Sequence, residues 1–306
     1  MNILLTGGTG YIGSHTALVL AQAGHSITLF DNLCNSQISV VSRLETLSAQ
    51  KMDFVQGDVR DTPLLSSVLK ERNIDAVIHF AGLKAVGDSV KNPVEYYANN
   101  VQGSISLLQA MQANHIKTLV FSSSATVYGV PQYLPYDETH PTKAINPYGS
   151  TKLQIEDMLR DVAASDPEWS IAVLRYFNPV GAHESGLIGE MPSGVPNNLM
   201  PYLVQVASGK REELRIFGND YDTNAKLGRN NVSFIIQGRI DVKEVSGGYT
   251  LTSTTAHAYE NGDTLSSVED PIFFAKYTGD REQFGVKNAR MVINPHDQTK
   301  IKEWLD

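Results

Sequence analysis

A glycine-rich turn between a short apolar strand and a helix leaves a chain few folds, and this one opens on such a turn. Ile3 to Leu5 suit a buried parallel strand, and Gly7, Gly10 and Gly13 follow at three-residue spacing before the apolar run Ala17, Leu18 and Leu20. Read physically, a strand ends, the chain turns sharply, and a helix begins with its free N–H groups and positive dipole end facing outward. That is a pyrophosphate site. Side chains at the glycines would block the turn, the ligand's approach to the backbone, and helix-on-strand packing.

A second apolar run, Ile27 to Phe30, ends in Asp31, eighteen residues beyond Gly13. A carboxylate there suits the adenosine ribose hydroxyls and repels a 2′-phosphate, which predicts NAD rather than NADP. The bland alternative for Asp31 is a helix-capping or solvated carboxylate.

Further apolar runs at Asp53–Val55, Ala76–Phe80, Leu119–Phe121 and Ile171–Leu174 alternate with helical spacings such as Leu64, Leu65, Val68 and Leu69. The pattern predicts an α/β fold, a doubly wound parallel sheet, over residues 1–177, with a smaller, partly β lobe over 178–306. Ligands on such sheets collect at the carboxyl ends of the strands. Polar or glycine residues follow nearly every run: Gly7, Asp31, Asp58, Gly82, Ser122–Ser124 and Asn178. Asp58 meets either an adenine amino group or its own turn. Lys84 is a cation near the ligand edge. Asn99 and Asn100 lie in the helix-like run after Pro93, facing either the ligand or solvent.

The net charge of −8 argues against a nucleic-acid or anionic-membrane partner, since both want a basic face. One cysteine, Cys34, excludes an intrachain disulfide. With no signal-like N-terminus and no run of 18 apolar residues, a cytoplasmic protein without a membrane span is expected. No metal-ligand spacing stands out. Asn231-Val-Ser233 matches a glycosylation sequon, a chance match in such a protein.

The chemistry centres on Tyr148 and Lys152 in Pro147-Tyr-Gly-Ser-Thr-Lys152. A helix starting near Pro147 puts both on one face, and Ser122-Ser-Ser124 ends the neighbouring strand with its hydroxyls toward the same crevice. A hydroxyl, a phenol and an ammonium beside a nicotinamide suit removal of an alcohol proton while hydride leaves the same carbon. Bringing a phenol from about 10 to about 7 takes roughly 4 kcal/mol. An ammonium about 5 Å away at an effective dielectric of about 20 supplies roughly 3 kcal/mol before desolvation. The positive nicotinamide ring is the source of the rest, so Tyr148 is poised as a base only with oxidised cofactor bound, and Ser124 positions the reacting oxygen or relays its proton.

These residues resemble the extended short-chain dehydrogenase/reductase family, in particular its subgroup acting at C4 of UDP-hexoses. The resemblance is carried by Thr6-Gly-Gly-Thr-Gly-Tyr-Ile-Gly-Ser-His15, Asp31-Asn-Leu-Cys-Asn-Ser36, His79-Phe-Ala-Gly-Leu-Lys-Ala-Val86, Ser122-Ser-Ser-Ala-Thr-Val-Tyr-Gly129, Tyr148-x-x-x-Lys152 and Arg175-Tyr-Phe-Asn-Pro-Val-Gly-Ala-His183, then Pro196-Asn-Asn-Leu-Met-Pro201 and Ile216-Phe-Gly-Asn-Asp-Tyr221. It implies a tightly held NAD that takes hydride from C4 while Tyr148 takes the proton. The 4-keto sugar then swings over and hydride returns to its other face. It implies NAD contacts from Gly7, Gly10, Tyr11, Ile12, Gly13, Asp31, Asn32, Asn35, Ser36, Asp58, Val59, Phe80, Ala81, Lys84, Asn99, Ser122, Tyr148, Lys152 and Phe177. Ser124, Phe177, Asn178, Asn198, Leu199 and Phe217 line the UDP-sugar pocket, Arg229 lies close to the expected pyrophosphate-binding arginine, and the protein is a homodimer.

After Tyr221 the family pattern lapses. Arg229 lacks its expected neighbours. Ile240–Val245 and Tyr249–Ser253 alternate about Ser246-Gly-Gly248 as a hairpin, while Gly279-Asp280-Arg281 and a short helix at Thr299–Trp304 faintly echo late family elements. Two other activities remain open at this point, a nucleotide-sugar oxidoreductase and an NAD-binding protein without turnover. A 4,6-dehydratase is disfavoured, because Ala125 and Thr126 stand where its acid pair belongs.

Overall fold

The computed structural model describes residues 1–133, 136–192, 198–207 and 210–211, and beyond these only the backbone of short strands between Glu213 and Val292. The chain divides into two compact units, Met1–Gly194 and Val195–Asp306.

In the first unit, strands β1 (Asn2–Thr6), β2 (Ser26–Asp31), β3 (Asp53–Gln56), β4 (Ala76–His79), β5 (Thr118–Ser124) and β6 (Ser170–Tyr176) pair in parallel in the order β3-β2-β1-β4-β5-β6. All six coincide with the apolar runs of the sequence. Helices α1 (Tyr11–Gln22), α2 (Ser39–Ser48), α3 (Thr62–Glu71), α4 (Val86–Lys91), α5 (Pro93–Tyr96), α6 (Gln102–Ala113) and α7 (Pro147–Ser165) connect them. The strand order reverses between β1 and β4, so their carboxyl ends leave a crevice.

The sheet separates two apolar cores, and the two-residue side-chain period of a strand divides β1 between them. Leu4 joins Phe30, Val77 and Phe121 beneath α3, α6 and α7, where Leu65, Leu107 and Ile155 are buried. Ile3 and Leu5 join Leu29 on the other face, beneath Ala17 and Leu18 of α1 and Leu44 of α2. Leu4 and Leu5 are both fully buried, each contributing roughly 1.5–3 kcal/mol relative to exposure. A strand buried on both faces reads as an unbroken apolar run, as β1 does.

The first unit continues past β6 because the chain folds back onto it. Ile188 enters the core beside α1 and α2, Arg43 Nη1 donates to Leu187 O at 3.1 Å, and Tyr11 Oη donates to Gly181 O at 2.8 Å.

In the second unit, α8 (Leu199–Ala207) buries Leu203 and Val206. The expected hairpin is present: Asp241–Val245 pairs antiparallel with Gly248–Thr252, with Val245 opposite Gly248. Gly248 thus belongs to the returning strand rather than to the connection. Glu213–Arg215 adds a third strand. The echoes expected at Gly279–Arg281 and Thr299–Trp304 lie outside the described residues.

Candidate active site

The glycine turn has the shape its spacing predicts. Gly7 adopts φ +66°, where a Cβ would lie 2.7 Å from Ala81 N, and a Cβ on Gly13 would lie 2.3 Å from Gly7 O. The turn is closed by Gly7 N donating to Phe30 O at 2.8 Å and Gly10 N donating to Gly7 O at 3.1 Å. A Cβ on Gly10, by contrast, would meet only Gly7 O, at 3.2 Å, and otherwise enter open space. No side chain caps the start of α1 and no acidic residue lies in its first turn. The open cradle above Gly10 and the uncapped dipole fit an anionic diphosphate.

Asp31, at the end of β2, is buried and caps neither flanking helix; it braces the loops around it and leaves room for a ligand. Its Oδ1 accepts from Leu33 N (2.9 Å) and Ser36 Oγ (3.1 Å), and its Oδ2 from Thr9 N (3.2 Å). Three of a carboxylate's roughly four accepting positions are thus filled. Ser36 Oγ also bonds Thr9 Oγ1 at 2.7 Å, tying this loop to the glycine turn. Asn32 and Asn35 are exposed beside it.

Asp58 follows the neighbouring strand and serves its own turn. Arg60 grips it through Nε (2.8 Å), Nη2 (2.7 Å) and its backbone N–H (2.9 Å). The guanidinium hydrogen bonds hold the Asp58 carboxyl down at about 2. A lowered folded-state value stabilises above the unfolded one, so this contribution is present at neutral pH and lost as pH falls from about 4 through about 2. Both side chains meet solvent (44% and 31% exposed for Arg60 and Asp58), so Asp58→Asn is expected to lower unfolding free energy by no more than about 1 kcal/mol. Denaturant midpoints at neutral and acid pH check this, and the difference from the unsubstituted protein should vanish in acid. Val59, next in the chain, buries its side chain in the core against Gly103, leaving only its backbone for a ligand.

The end of β4 is held by a relay the sequence reading missed. Ser104 Oγ donates to Asn100 O at 2.8 Å, so it accepts from His79 Nε2 at 3.0 Å, and His79 Nδ1 accepts from Thr6 Oγ1 at 2.6 Å. Burial pushes His79 down to about 3, with the Lys152 charge adding to it, so the ring stays neutral. Thr6 in turn accepts from Ala81 N at 3.3 Å, and Phe80 N donates to Thr6 O at 3.0 Å. Phe80 and Ala81 are thereby fixed against Gly7. The run after Pro93 is not a plain helix. It contains one π-helical turn, Tyr97–Val101, between α5 and α6, of the kind found often at functional sites. That turn buries Asn100, whose amide bonds both Leu83 N (2.8 Å) and Leu83 O (3.0 Å), and leaves Asn99 partly exposed beside it. Asn100 is thus no helix-surface residue. Lys84 is half exposed and paired with Glu190 at 3.2 Å.

Asn146 caps α7 by accepting from Gly149 N at 2.8 Å, and Pro147 occupies the first turn. Tyr148 and Lys152 then share a face at four-residue spacing. Lys152 is 5% exposed, donates to Ser122 O at 2.6 Å, and lies 4.8 Å from the Phe121 ring centroid. Burial lowers its pKa to about 8, opposed by the charge of Glu156. Burial raises the Tyr148 phenol, and a hydrogen bond with Ser124 works against that rise. Ser124 Oγ further accepts from Thr126 N (3.2 Å) and Thr126 Oγ1 (3.0 Å). Here the strand period corrects the sequence reading: the three serine hydroxyls do not share one crevice. Ser123 turns to the other face and donates to Glu156.

Of the remaining expected residues, Phe177 is 59% exposed and Asn178 is exposed as well, just beyond β6. Asn198 and Leu199 stand at the start of α8 in the second unit. Phe217 and Arg229 lie outside the described residues. Among the described residues no group of acidic, histidine or cysteine side chains has a metal-binding arrangement.

This geometry has a counterpart among known proteins. Residues 3–226 match the model of the NAD dependent epimerase/dehydratase family. The chain belongs to that family. As a family member it is 54% identical over 223 residues to the UDP-glucose 4-epimerase of Neisseria meningitidis serogroup A, covering 72% of this chain and 66% of that protein. The Bacillus subtilis UDP-glucose 4-epimerase is 49% identical over 287 residues, covering 91% of this chain and 83% of its own length. A crystal structure of the Bifidobacterium longum UDP-glucose 4-epimerase in complex with NAD+ and UDP superposes with a TM-score of 0.73 at 47% identity, covering 78% of this chain and 70% of that one. The chain thus spans about two thirds of the length of the Neisseria relative. The family match ends five residues after Tyr221, near where the motifs lapse.

Proposed function

We propose that this protein interconverts UDP-galactose and UDP-glucose by epimerisation at C4 through a transient 4-keto sugar. The observation that carries the proposal is Tyr148 and Lys152 on one helix face beside Ser124, at the same carboxyl side of the parallel sheet as a cradle fit for a diphosphate. Relatives at about 50% identity are UDP-glucose 4-epimerases, and a similar structure holds NAD+ and UDP.

In this reading residues 1–177 hold NAD and 178–306 form the substrate lobe. The glycine turn and the start of α1 receive the diphosphate, Asp31 the adenosine ribose, Phe80, Ala81 and Lys84 the middle of the cofactor, and Lys152 and Ser122 its nicotinamide end. NAD, when bound, supplies a hydride acceptor and donor and a positive ring. Tyr148 removes the C4 hydroxyl proton and later returns it. Ser124 holds the C4 oxygen, and Lys152 keeps a positive charge near the phenol. Asn178, Asn198, Leu199, Phe217 and Arg229 bind the nucleotide sugar. Ala125 and Thr126 offer no acid pair for dehydration, which supports epimerisation over elimination.

The lone cysteine supports a reducing, cytoplasmic setting, and among the described residues no helix is long and apolar enough to cross a membrane. The exposed Val86, Val90 and Val94 on α4 and α5 supply apolar surface for a homodimer to cover.

The test is a denatured-extract assay for NAD carried through purification, followed by UDP-galactose/UDP-glucose interconversion on the same sample. Bound NAD with turnover and no net NADH supports the proposal. Bound NAD without turnover would indicate a binding protein, and stoichiometric consumption of NADH an ordinary reductase.

A further inference from the structure

One turn past Lys152 on the same face of α7, Glu156 is 2% exposed. Its carboxylate accepts from Arg175 Nε at 3.0 Å and Arg175 Nη2 at 2.7 Å, and from Ser123 Oγ. Arg175 belongs to β6 and lies 4.8 Å from the Tyr128 ring centroid. One carboxylate therefore joins α7, β5 and β6 directly behind the reacting groups. A buried ion pair is weak ground for stability, since an apolar pair of the same shape often does as well. Its placement needs another explanation.

We propose that Glu156, held in place by Arg175, is a positioning residue for the reaction: its carboxylate keeps the Lys152 ammonium charged and, through Ser123, fixes the strand end that carries Ser124. Ser123, held by Glu156, sits between Ser122, whose carbonyl takes Lys152 Nζ, and Ser124, which meets Tyr148. Glu156 thus acts on both hydroxyl and ammonium without touching a ligand. Among the described residues, the titratable groups around Lys152 are Tyr148 and Glu156 from α7 and His79 from β4, which is neutral. Phe121 and Ser122 face it from β5. Around Glu156 stand Arg175 from β6, Arg160 at 3.5 Å from α7, and Lys152. Glu156 is therefore the anion in this group, and burial alone drives Lys152 toward the neutral form.

The signs follow. Glu156→Gln removes the anion and leaves Arg175 uncompensated, so both changes disfavour the Lys152 ammonium. Arg175→Gln leaves the anion with fewer cations and favours it. The inference rests on the proposed reaction for its consequence in catalysis, but its test does not need turnover. The Lys152 titration is followed by NMR of carbon-13-labelled lysine in the NAD-bearing protein, with Lys152→Met to assign the signal. Glu156→Gln is expected to lower the proton affinity of Lys152 about tenfold and Arg175→Gln to raise it. In the active protein the alkaline limb of kcat should move with each, with KM little changed. Midpoints that stay put, or that move the same way in both variants, would overturn the proposal and leave a structural brace. If Glu156→Gln does not fold, Arg175→Gln carries the test alone, and an unraised midpoint overturns it. An unsubstituted protein that holds NAD but does not interconvert the sugars would instead overturn the reaction, leaving the lysine titration to be read separately.

Discussion

Tyr148→Phe is expected to slow interconversion of the two UDP-sugars at least about 10²-fold, the low end for a positioned proton-transfer group, while bound NAD stays unchanged. The separation is the informative part. Removing one oxygen from Tyr148 leaves α7 intact, because the helix is started by Asn146 and Pro147 and held by buried Ile155 and Leu159. Lys152 keeps its bond to Ser122 O. What is lost is the base and its contact with Ser124. Burial raises the phenol in the protein alone, so its ionisation depends on positive charge nearby. At an effective dielectric of about 20, one ammonium about 5 Å away offsets roughly 3 kcal/mol, against roughly 4 for a free phenol and more for this buried one. Lys152 is therefore necessary and by itself insufficient. The measurement is kcat alongside NAD content per chain for both proteins. A Tyr148→Phe protein within tenfold of the original rate would remove Tyr148 from the role of base.

Much of this was legible in the residues because backbone rules act over short distances. Six strands coincide with six apolar runs; for the inner strands β1 and β2 the reason is burial on both faces, while the edge strands β3 and β6 keep their apolar residues with much less burial. Pro147 marked the start of α7, and the four-residue spacing put Tyr148 and Lys152 on one side. The glycine turn was readable because a missing side chain is itself a signal. Long-range pairings were not readable. Nothing local links Thr6 to His79 and Ser104, or Lys84 to Glu190, residues brought together by the parallel crossovers and the returning segment after β6. The strand period could have separated Ser123 from Ser124, and a second step of four from Lys152 would have reached Glu156. Asp58 shows the limit of type and position together: a carboxylate at a strand end suited a ligand or a turn equally, and only the Arg60 grip shows the turn filled. The π-helical turn that buries Asn100 has no pattern in the sequence at all.

Alanine at Gly10 and at Gly13 should fail in different ways, and the contrast tests whether the turn is a ligand cradle or a plain corner. Gly10 has φ −69° and ψ 175°, which alanine adopts without strain, and its added methyl would meet only Gly7 O, at 3.2 Å. That contact asks Gly7 O to give by a few tenths of an ångström, so the NAD-free Gly10→Ala protein is expected to unfold within about 1 kcal/mol of the original. The methyl would nevertheless stand where a diphosphate must approach the uncapped N–H groups of α1. Two charge-assisted hydrogen bonds lengthened or lost, each worth about 1.5–3 kcal/mol, imply NAD bound at least about 10²-fold more weakly. Gly13→Ala places its carbon 2.3 Å from a backbone oxygen, which no rotamer relieves. The turn itself must shift, at a cost of about 1–3 kcal/mol in stability, and NAD affinity falls with it. Thermal or denaturant unfolding of the NAD-free proteins, together with NAD content and titration, separates the cases. Should Gly10→Ala retain NAD as the original does, the open space above that residue is not where the diphosphate lies, and the start of α1 loses its claim as the anion site.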